Sequence, residues 1–474
     1  MKNPCRSARS KSSKSRSVRV PLAFDQAPQD ELGFTALLLQ LIPWKELNGL
    51  NARKNGGGRP THLLSRSQLL VATLFHFSIN CAGTFAQHLL MLTGIKMSEG
   101  TLSERRQAVP WEVFEEILRR ALGLLAKPCS EAFYRGLRLV AIDGVEFSVA
   151  NRPEVNRQLG KGTKKSQSAF AKLRCAVLLE VMMHNPLAAV LGRVGQSEWR
   201  LAQGLVGSLP ANCLLLADRL YGCGAFMCSA WQVLQKNGGH FLIRAKVNSK
   251  VLRVIKRLSD GSALVEVKAL VKGDRHRVAQ TIVVRDIHAL IKRKGGKPMR
   301  VRFWTSLLDP QKAPAHELVT LFCRRWEQEL YFRELKAGLG INDLLQSQTI
   351  ETAAQEVTAM IIGSAIIATE RSKLKPGEEL THRVSFLKVC ALLEPLWLTL
   401  LLGADILSHT QKQQLVDRFY WMASQMKMGK KRARSCPRVI RQRSQRWPRK
   451  TNQKSTNGPP IVRVIKANPK KNAP

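Results

Sequence analysis

Acidic residues are scarce in this chain: 34 Asp and Glu stand against 76 Lys and Arg in 474 residues, a formal net charge of +42. Residues 1–20 and 427–474 contain no acid at all, while carrying seven and sixteen Lys/Arg respectively. Removing both tails still leaves +19 for the residues between them. The charge therefore points to a polyanionic partner for the body of the protein, nucleic acid first. The tails, with Ser, Pro and Gln among their charges, are expected to be solvated and disordered. Paired cysteine spacing is also lacking. Ten cysteines are scattered, and Cys223, Cys228 and the remoter Cys213 have neither the spacing nor the neighbouring histidines of a zinc site, so reduced thiols are expected. No apolar run is long enough for a bilayer, since 397–407 is interrupted by Asp405 and 360–368 is too short. The N-terminus begins with scattered charge instead of a secretory signal. These absences lead to the expectation of no membrane contact and a cytoplasmic location.

With 44% hydrophobic residues the chain can bury a full core and divide into two or three parts. After a basic arm at 1–30, apolar residues at helical spacing (Leu69, Leu70, Leu74 and Phe75; Val113, Phe114, Ile117 and Leu118) predict a helical N-terminal domain over 31–135. A glycine-rich loop at 55–60 breaks it, and the arginines of 101–106 either face DNA or form an ordinary polar face. From residue 137 the pattern turns to strands: 137–142 ending at Asp143, 172–183, 187–193 and 213–217 ending at Asp218, with a helix at 197–208 capped by Ser197. Acids at strand ends stand where open α/β sheets bind ligands. Beyond lie a helix at 221–236, a strand at 240–246, a β-rich insertion at about 248–302, a long helix at 314–337, and helices at 352–372 and 386–426. A mixed α/β domain over 136–425 and a basic tail over 426–474 follow from this order. There is no internal repeat.

The long helix carries the most specific pattern. Phe322, Arg325, Glu329 and Lys336 succeed one another at spacings of three, four and seven, which places all four on one stripe of a helix with about 3.6 residues per turn. Trp326, Leu330 and Tyr331 read as core residues, and Glu327 and Glu334 fall off the stripe. Each carboxylate alone has a plain reading: Asp143 a turn residue before Gly144, Asp218 a cap or partner of Arg219, Glu329 an i, i+4 partner of Arg325. If Glu329 meets Asp143 and Asp218, three carboxylates gather without adequate counter-charge, which Mg²⁺ or Mn²⁺ would supply. Two such ions suit phosphodiester chemistry, because they can stabilise both the attacking and the leaving oxygen. Ser, Cys and His form no persuasive nucleophilic triad, and His184 and His240 read as packing residues.

Three segments carry a resemblance: Ala141-Ile-Asp143-Gly144; Leu216-Ala-Asp218-Arg219-Leu-Tyr221-Gly; and Phe322-Cys-Arg-Arg325-Trp-Glu-Gln-Glu329-Leu-Tyr-Phe-Arg-Glu-Leu-Lys336. Over residues 65–360 the chain resembles the DDE transposases of the insertion-sequence-four family, relatives of the Tn-five transposase. The third segment matches that family's Y-x2-R-x3-E-x6-K signature, with Phe322 replacing the tyrosine and losing its hydroxyl. The resemblance implies a mixed α/β fold: a ribonuclease-H-like catalytic domain with a β-rich insertion, preceded by the helical domain. It implies Asp143, Asp218 and Glu329 as metal-binding catalytic residues holding two ions, Mg²⁺ or Mn²⁺, and Phe322, Arg325, Lys336 and Arg219 beside DNA.

The expected function is therefore cleavage at transposon ends and strand transfer into target double-stranded DNA, by a homodimer that holds two terminal inverted repeats together in a bacterial, nucleoid-associated setting. Two rivals stay open: a transposase descendant that binds DNA without cutting it, and a metal-dependent nuclease that cuts without joining.

Overall fold

A computed structural model describes residues 32–49, 64–78, 83–125, 130–150, 152–159, 162–163, 166–167, 170–192, 196–269, 280–292, 297–338, 344–374, 384–428, 434–435, 456–457 and 461–465. The arm expected at 1–30, the loop at 55–60 and most of the basic tail lie outside the described residues. The chain runs through α1 (Phe34–Leu41), α2 (Trp44–Gly49), α3 (Arg66–Ser78), α4 (Phe85–Thr93), α5 (Glu99–Gln107) and α6 (Trp111–Ala121) to β1 (Phe133–Tyr134) and β2 (Leu137–Val149). Next come α7 (Pro153–Leu159), β3 (Gly162–Thr163), β4 (Ser166–Gln167), β5 (Ala171–Glu180), β6 (Asn185–Gly192), α8 (Glu198–Leu205), β7 (Cys213–Ala217), α9 (Gly224–Leu234) and β8 (His240–Ala245). Then follow β9 (Arg253–Arg257), β10 (Ala263–Ala269), β11 (Gln280–Lys292), β12 (Met299–Thr305), α10 (Ala315–Phe322), α11 (Trp326–Gly338), α12 (Ile350–Lys373), α13 (Phe386–Leu402), α14 (His409–Gln425), β13 (Arg434–Ser435), β14 (Thr456–Asn457) and β15 (Ile461–Ile465).

One eleven-stranded mixed sheet organises the molecule, in the order β6-β5-β2-β7-β8-β12-β11-β10-β9, with β1 on β2 and β15 on β11. β2, β5 and β6 form an antiparallel meander, β7 and β8 run parallel to β2, and β12 returns antiparallel to β8. The two-residue alternation of β2 sorts its side chains to opposite faces. Val140 and Ile142 pack with Leu201 and Leu205 of α8 and Phe226 of α9, whereas Leu139 and Ala141 meet Leu318 and Leu321 of α10. Val145 and Phe147, farther along that second face, join Tyr331 and Leu335 of α11 and Ile361 of α12. Helices thus cover both faces, which explains why the central strands are apolar throughout.

Three features depart from the sequence reading and one, the place of the insertion, refines it. The helix at 386–426 is two helices, because Ser408 and Gln411 form a capping box that starts α14 afresh. The helix at 314–337 is broken by a 3-10 turn, Cys323–Arg325, between α10 and α11. The insertion does not stand apart: β9–β12 extend the central sheet edge to edge. Part of the basic tail is ordered as well, since β15 pairs with β11 from Ile461↔Lys292 to Ile465↔His288, and Val462 and Val464 pack on the α10 face. Its alternating apolar residues suit a sheet edge better than solvent.

The N-terminal helices share a core with helices that follow the sheet. Phe34, Leu70, Phe75 and Phe114 of the N-terminal helices are buried with Val357, Met360 and Ile361 of α12 and with Trp397 of α13. By length and composition α12 could span a bilayer, yet 94% of its apolar window is buried inside the protein, where it serves as the central helix. Its crossing with α3 depends on Gly363. A Cβ there would lie 2.7 Å from the Cα, Cβ and carbonyl oxygen of Ser78, while Ser78 Oγ donates to Ala359 O at 3.1 Å. Valine at this site gains only tenths of a kcal/mol in helix propensity against an overpacking cost of about 1–3 kcal/mol. Gly363→Val should therefore lower stability by about 2 kcal/mol, read as an earlier denaturant midpoint; an unchanged midpoint would show that the helices can part freely.

Candidate active site

Asp143 and Asp218 come together because β7 is shorter than its neighbour. Pairing of β2 with β7 stops at Ile142↔Ala217, so Asp218 leaves the sheet beside Asp143. Asp143 is not at a strand end, as the sequence suggested, because β5 continues to pair with β2 as far as Val149↔Ala171. It sits mid-strand, level with the point where β7 gives out. Asp143 Oδ1 accepts from the Gly144 amide at 2.9 Å.

Glu329 arrives from the α10–α11 unit on the same face. Arg325, on the 3-10 turn, joins the two: its Nη1 donates to Asp143 Oδ2 at 3.0 Å and its Nη2 to Glu329 Oε1 at 2.9 Å. Mid-helix 3-10 turns often mark functional positions, and here the turn carries the guanidinium that spans two of the three expected carboxylates. Phe322 lies half-buried beneath it, with its ring 4.7 Å from that of Phe303 on β12 and 5.9 Å from the Arg325 guanidinium carbon. Lys336 reaches back to β2, donating to Glu146 O at 2.7 Å with its ammonium 5.4 Å from the Phe147 ring centre. Arg219 is exposed just past Asp218. Trp326, read from sequence as core, is 50% exposed beside Arg325, whereas Tyr331 is fully buried. Periodicity alone could not separate them, because the 3-10 turn resets the helical phase.

A further acid lies here that the sequence reading missed. Glu198, the first residue of α8, approaches Gly144 so closely that a Cβ on that glycine would be 2.4 Å from its Cδ. Tyr221 Oη donates to Glu198 Oε1 at 2.9 Å. Next to the cap residue Ser197, an acid is unremarkable for helix-dipole reasons, so nothing local singles it out. The electrostatic result is visible at Asp143, whose carboxyl is pushed up to about 7. Burial is the main cause; Arg325 opposes it, and the charges of Glu198 and Asp218 add to it. Burial and the same carboxylates raise the Tyr221 hydroxyl, which keeps it a donor.

Behind the site, two buried clusters fix α10 and α11. Asp260, in the β9–β10 turn, accepts from the Ala315 amide at 3.1 Å and is ion-paired with the fully buried Arg285, which donates to Ala313 O at 2.6 Å. The insertion strands thereby hold the start of α10. On the far side of α11, His184 lies between Glu334, 2.6 Å from Nδ1, and Glu327, 3.1 Å from Nε2. These are the two acids that fall off the Arg325 stripe.

Among the described residues no three carboxylate, histidine or cysteine side chains form a ready-made metal cage. The arrangement nevertheless fits a hard cation. Asp143 and Glu329 share one guanidinium, and next to Asp143 in the strand register Asp218 Oδ1 is buried with no hydrogen-bond partner among the described residues. An orphaned buried acceptor costs free energy unless a donor or cation satisfies it.

Residues 134–362 match the Transposase DDE domain family. The chain is 24% identical over 368 residues to the transposase InsG for insertion sequence element IS4 of Escherichia coli, covering 76% of this chain and 80% of that protein. It is 33% identical over 90 residues to a putative transposase of that bacterium, InsZ, covering 19% of this chain and 30% of that one. A piggyBac transposase, solved as a synaptic complex with hairpin DNA, aligns over 85% of this chain and 86% of its own at 11% identity, with a TM-score of 0.39. The chain is a DNA transposase with a DDE domain over residues 134–362, similar over most of its length to the transposase of insertion sequence IS4.

Proposed function

We propose that this transposase works by cut-and-paste, cleaving the ends of its own insertion sequence and joining the freed 3′ hydroxyls to target DNA, with Asp143, Asp218 and Glu329 as the metal-holding residues. The observation that carries the reading is the convergence of these acids where β7 ends, with Asp143 and Glu329 on one guanidinium and a partnerless Asp218 oxygen beside them. The antiparallel meander β6-β5-β2 followed by parallel β7 and β8 supports a ribonuclease-H-like core within 136–425, and β9–β12 support an insertion at about 248–302. Mg²⁺ or Mn²⁺, held as a pair by these carboxylates, would stabilise the attacking and leaving oxygens of an in-line displacement.

The protein's own groups do the rest. Arg325 orients Asp143 and Glu329 and offsets their repulsion, and it stands ready for a phosphate when one arrives. Phe322 supports that guanidinium through its ring. Lys336 and the exposed Arg219 supply phosphate contacts, and the open face of Trp326 suits stacking on an unpaired base. Synapsis of two terminal inverted repeats calls for a homodimer, and access to the chromosome for the cytoplasm. If Lys336 contacts one phosphate, Lys336→Ala should weaken end binding and flatten the slope of log affinity against log salt by about 0.9. A filter-binding series in NaCl measures this, and an unchanged slope would remove Lys336 from the DNA contact.

The test of the reading uses a supercoiled plasmid carrying the DNA that flanks the gene, incubated with the protein and Mg²⁺, with product ends mapped. Cuts at a pair of inverted repeats, insertion of the excised segment elsewhere, and loss of both in Glu329→Ala are expected. Cutting without joining would replace the proposal with a nuclease, and binding without cutting with a DNA-binding descendant.

A further inference from the structure

We infer that Glu198 is a fourth carboxylate of the metal site, held in place by Gly144 and Tyr221. The inference rests on the metal-site reading above and adds a ligand to it. Its first support is position. Asp143 and Gly144 are neighbours on β2, beyond the last residue paired to β7, so both faces of the sheet open onto this rim. Glu198 comes from α8, on the face opposite α11, and lies over the bare Cα of Gly144; a Cβ there would stand 2.5 Å from its Cγ and 2.8 Å from its Oε2. Any side chain at 144 would expel the carboxylate, so the glycine beside Asp143 makes its approach possible.

The second support is orientation. Tyr221 is fully buried, and its amide donates to Asp218 O at 3.0 Å, so its ring is set by the same turn that carries Asp218. Its hydroxyl engages Glu198 Oε1, leaving Oε2 on the Gly144 side. One turn therefore presents Asp218 and aims Glu198. The third support is the lack of counter-charge: among the described residues no Lys, Arg or His forms an ion pair with Glu198. A glutamate serving only to hold Tyr221 would need no charge, and placing that charge next to Asp143 would be unfavourable. A divalent cation shared by Asp143, Asp218 and Glu198 removes the conflict, and it leaves Glu329 on the side where Arg325 sits.

Glu198→Gln separates the two roles, because the amide oxygen can still accept from Tyr221 while the charge is gone. Binding of Mn²⁺ to the full chain, followed by electron paramagnetic resonance without DNA turnover, is the readout, alongside thermal unfolding without metal. Wild-type protein should bind Mn²⁺, Asp143→Asn should lose binding, and Glu198→Gln should bind about tenfold more weakly or worse with an unfolding temperature no lower than wild type. Tyr221→Phe, which removes only the aiming hydroxyl, should give a smaller loss in the same direction. Wild-type Mn²⁺ affinity in Glu198→Gln, with binding lost in Asp143→Asn, would overturn the fourth ligand and leave the three-carboxylate reading standing. Binding that survives Asp143→Asn, or none in wild type, would overturn both.

Discussion

Replacing Asp143 with alanine should lower strand cleavage about a thousandfold or more and leave the fold no less stable. The rate follows from the metal-assisted catalysis proposed for Asp143: losing about 4 kcal/mol of transition-state stabilisation, within the range such sites supply, is about three powers of ten. The stability follows from what surrounds the residue. Asp143 is largely buried, and Glu198 and Asp218 repel its charge, so Arg325 is working against an unfavourable setting. Once Asp143 is gone, Arg325 keeps Glu329. Sites that sacrifice stability for chemistry commonly gain stability when the chemistry is removed. Cleavage assays and thermal unfolding on one preparation decide the matter. A lower unfolding temperature with a matching partial loss of cleavage would instead make Asp143 a structural partner of Arg325.

His184→Ala should be the most destabilising of the substitutions considered, at about 3–5 kcal/mol, because it removes the buried ion-pair and hydrogen-bond partner that Glu327 and Glu334 share. Burial alone would pull the His184 imidazole down, but the Glu334 charge and the hydrogen bonds to Glu327 and Glu334 outweigh it and raise it above its ordinary value of 6.5. Burial would push the Glu334 carboxyl up, and the His184 charge and hydrogen bond hold it below its ordinary 4.5. Arg371 of α12 acts on both groups in the same senses as a nearby positive charge must, lowering each.

The sign of the pH dependence follows from linkage. The contribution of Glu334 is present above 4.5 and lost as pH falls through its depressed value; that of His184 is present below 6.5 and lost as pH rises through its elevated one. The gap between wild type and mutant should thus be widest between about pH 4.5 and 6.5 and narrow at higher pH. His184 has φ of +53°, a conformation asparagine tolerates better than alanine, so His184→Asn removes the backbone part of the cost. Denaturant midpoints across pH measure the effect. A gap independent of pH would mean that His184 contributes packing alone.

The location of these clusters shows what could be read early and what could not. Asp218 at a strand end, Ser197 as a helix cap and the 322–336 stripe are local patterns: each depends on residues a few positions apart, whose geometry follows from strand and helix repeats. The reach of β2 past Asp143 is different, because it depends on β5 continuing where β7 stops, and β5 lies about thirty residues downstream. The exposure of Trp326 depends on a 3-10 turn that its own composition does not announce. The strand at 461–465 has apolar alternation, but its place was hidden by basic flanks and by a partner, β11, far back in the chain.

By itself, then, the sequence determined the pattern: a basic, sheet-and-helix protein with Asp143 and Asp218 after apolar strands and with Arg325, Glu329 and Lys336 on one helical stripe. Tertiary structure alone decided which of these side chains touch, set Arg325 between Asp143 and Glu329, brought Glu198 from the opposite face through the gap at Gly144, and locked α11 from behind with His184. Spacing along a helix or strand is a property of neighbouring residues, whereas convergence at a site is a property of long-range packing and leaves no local mark.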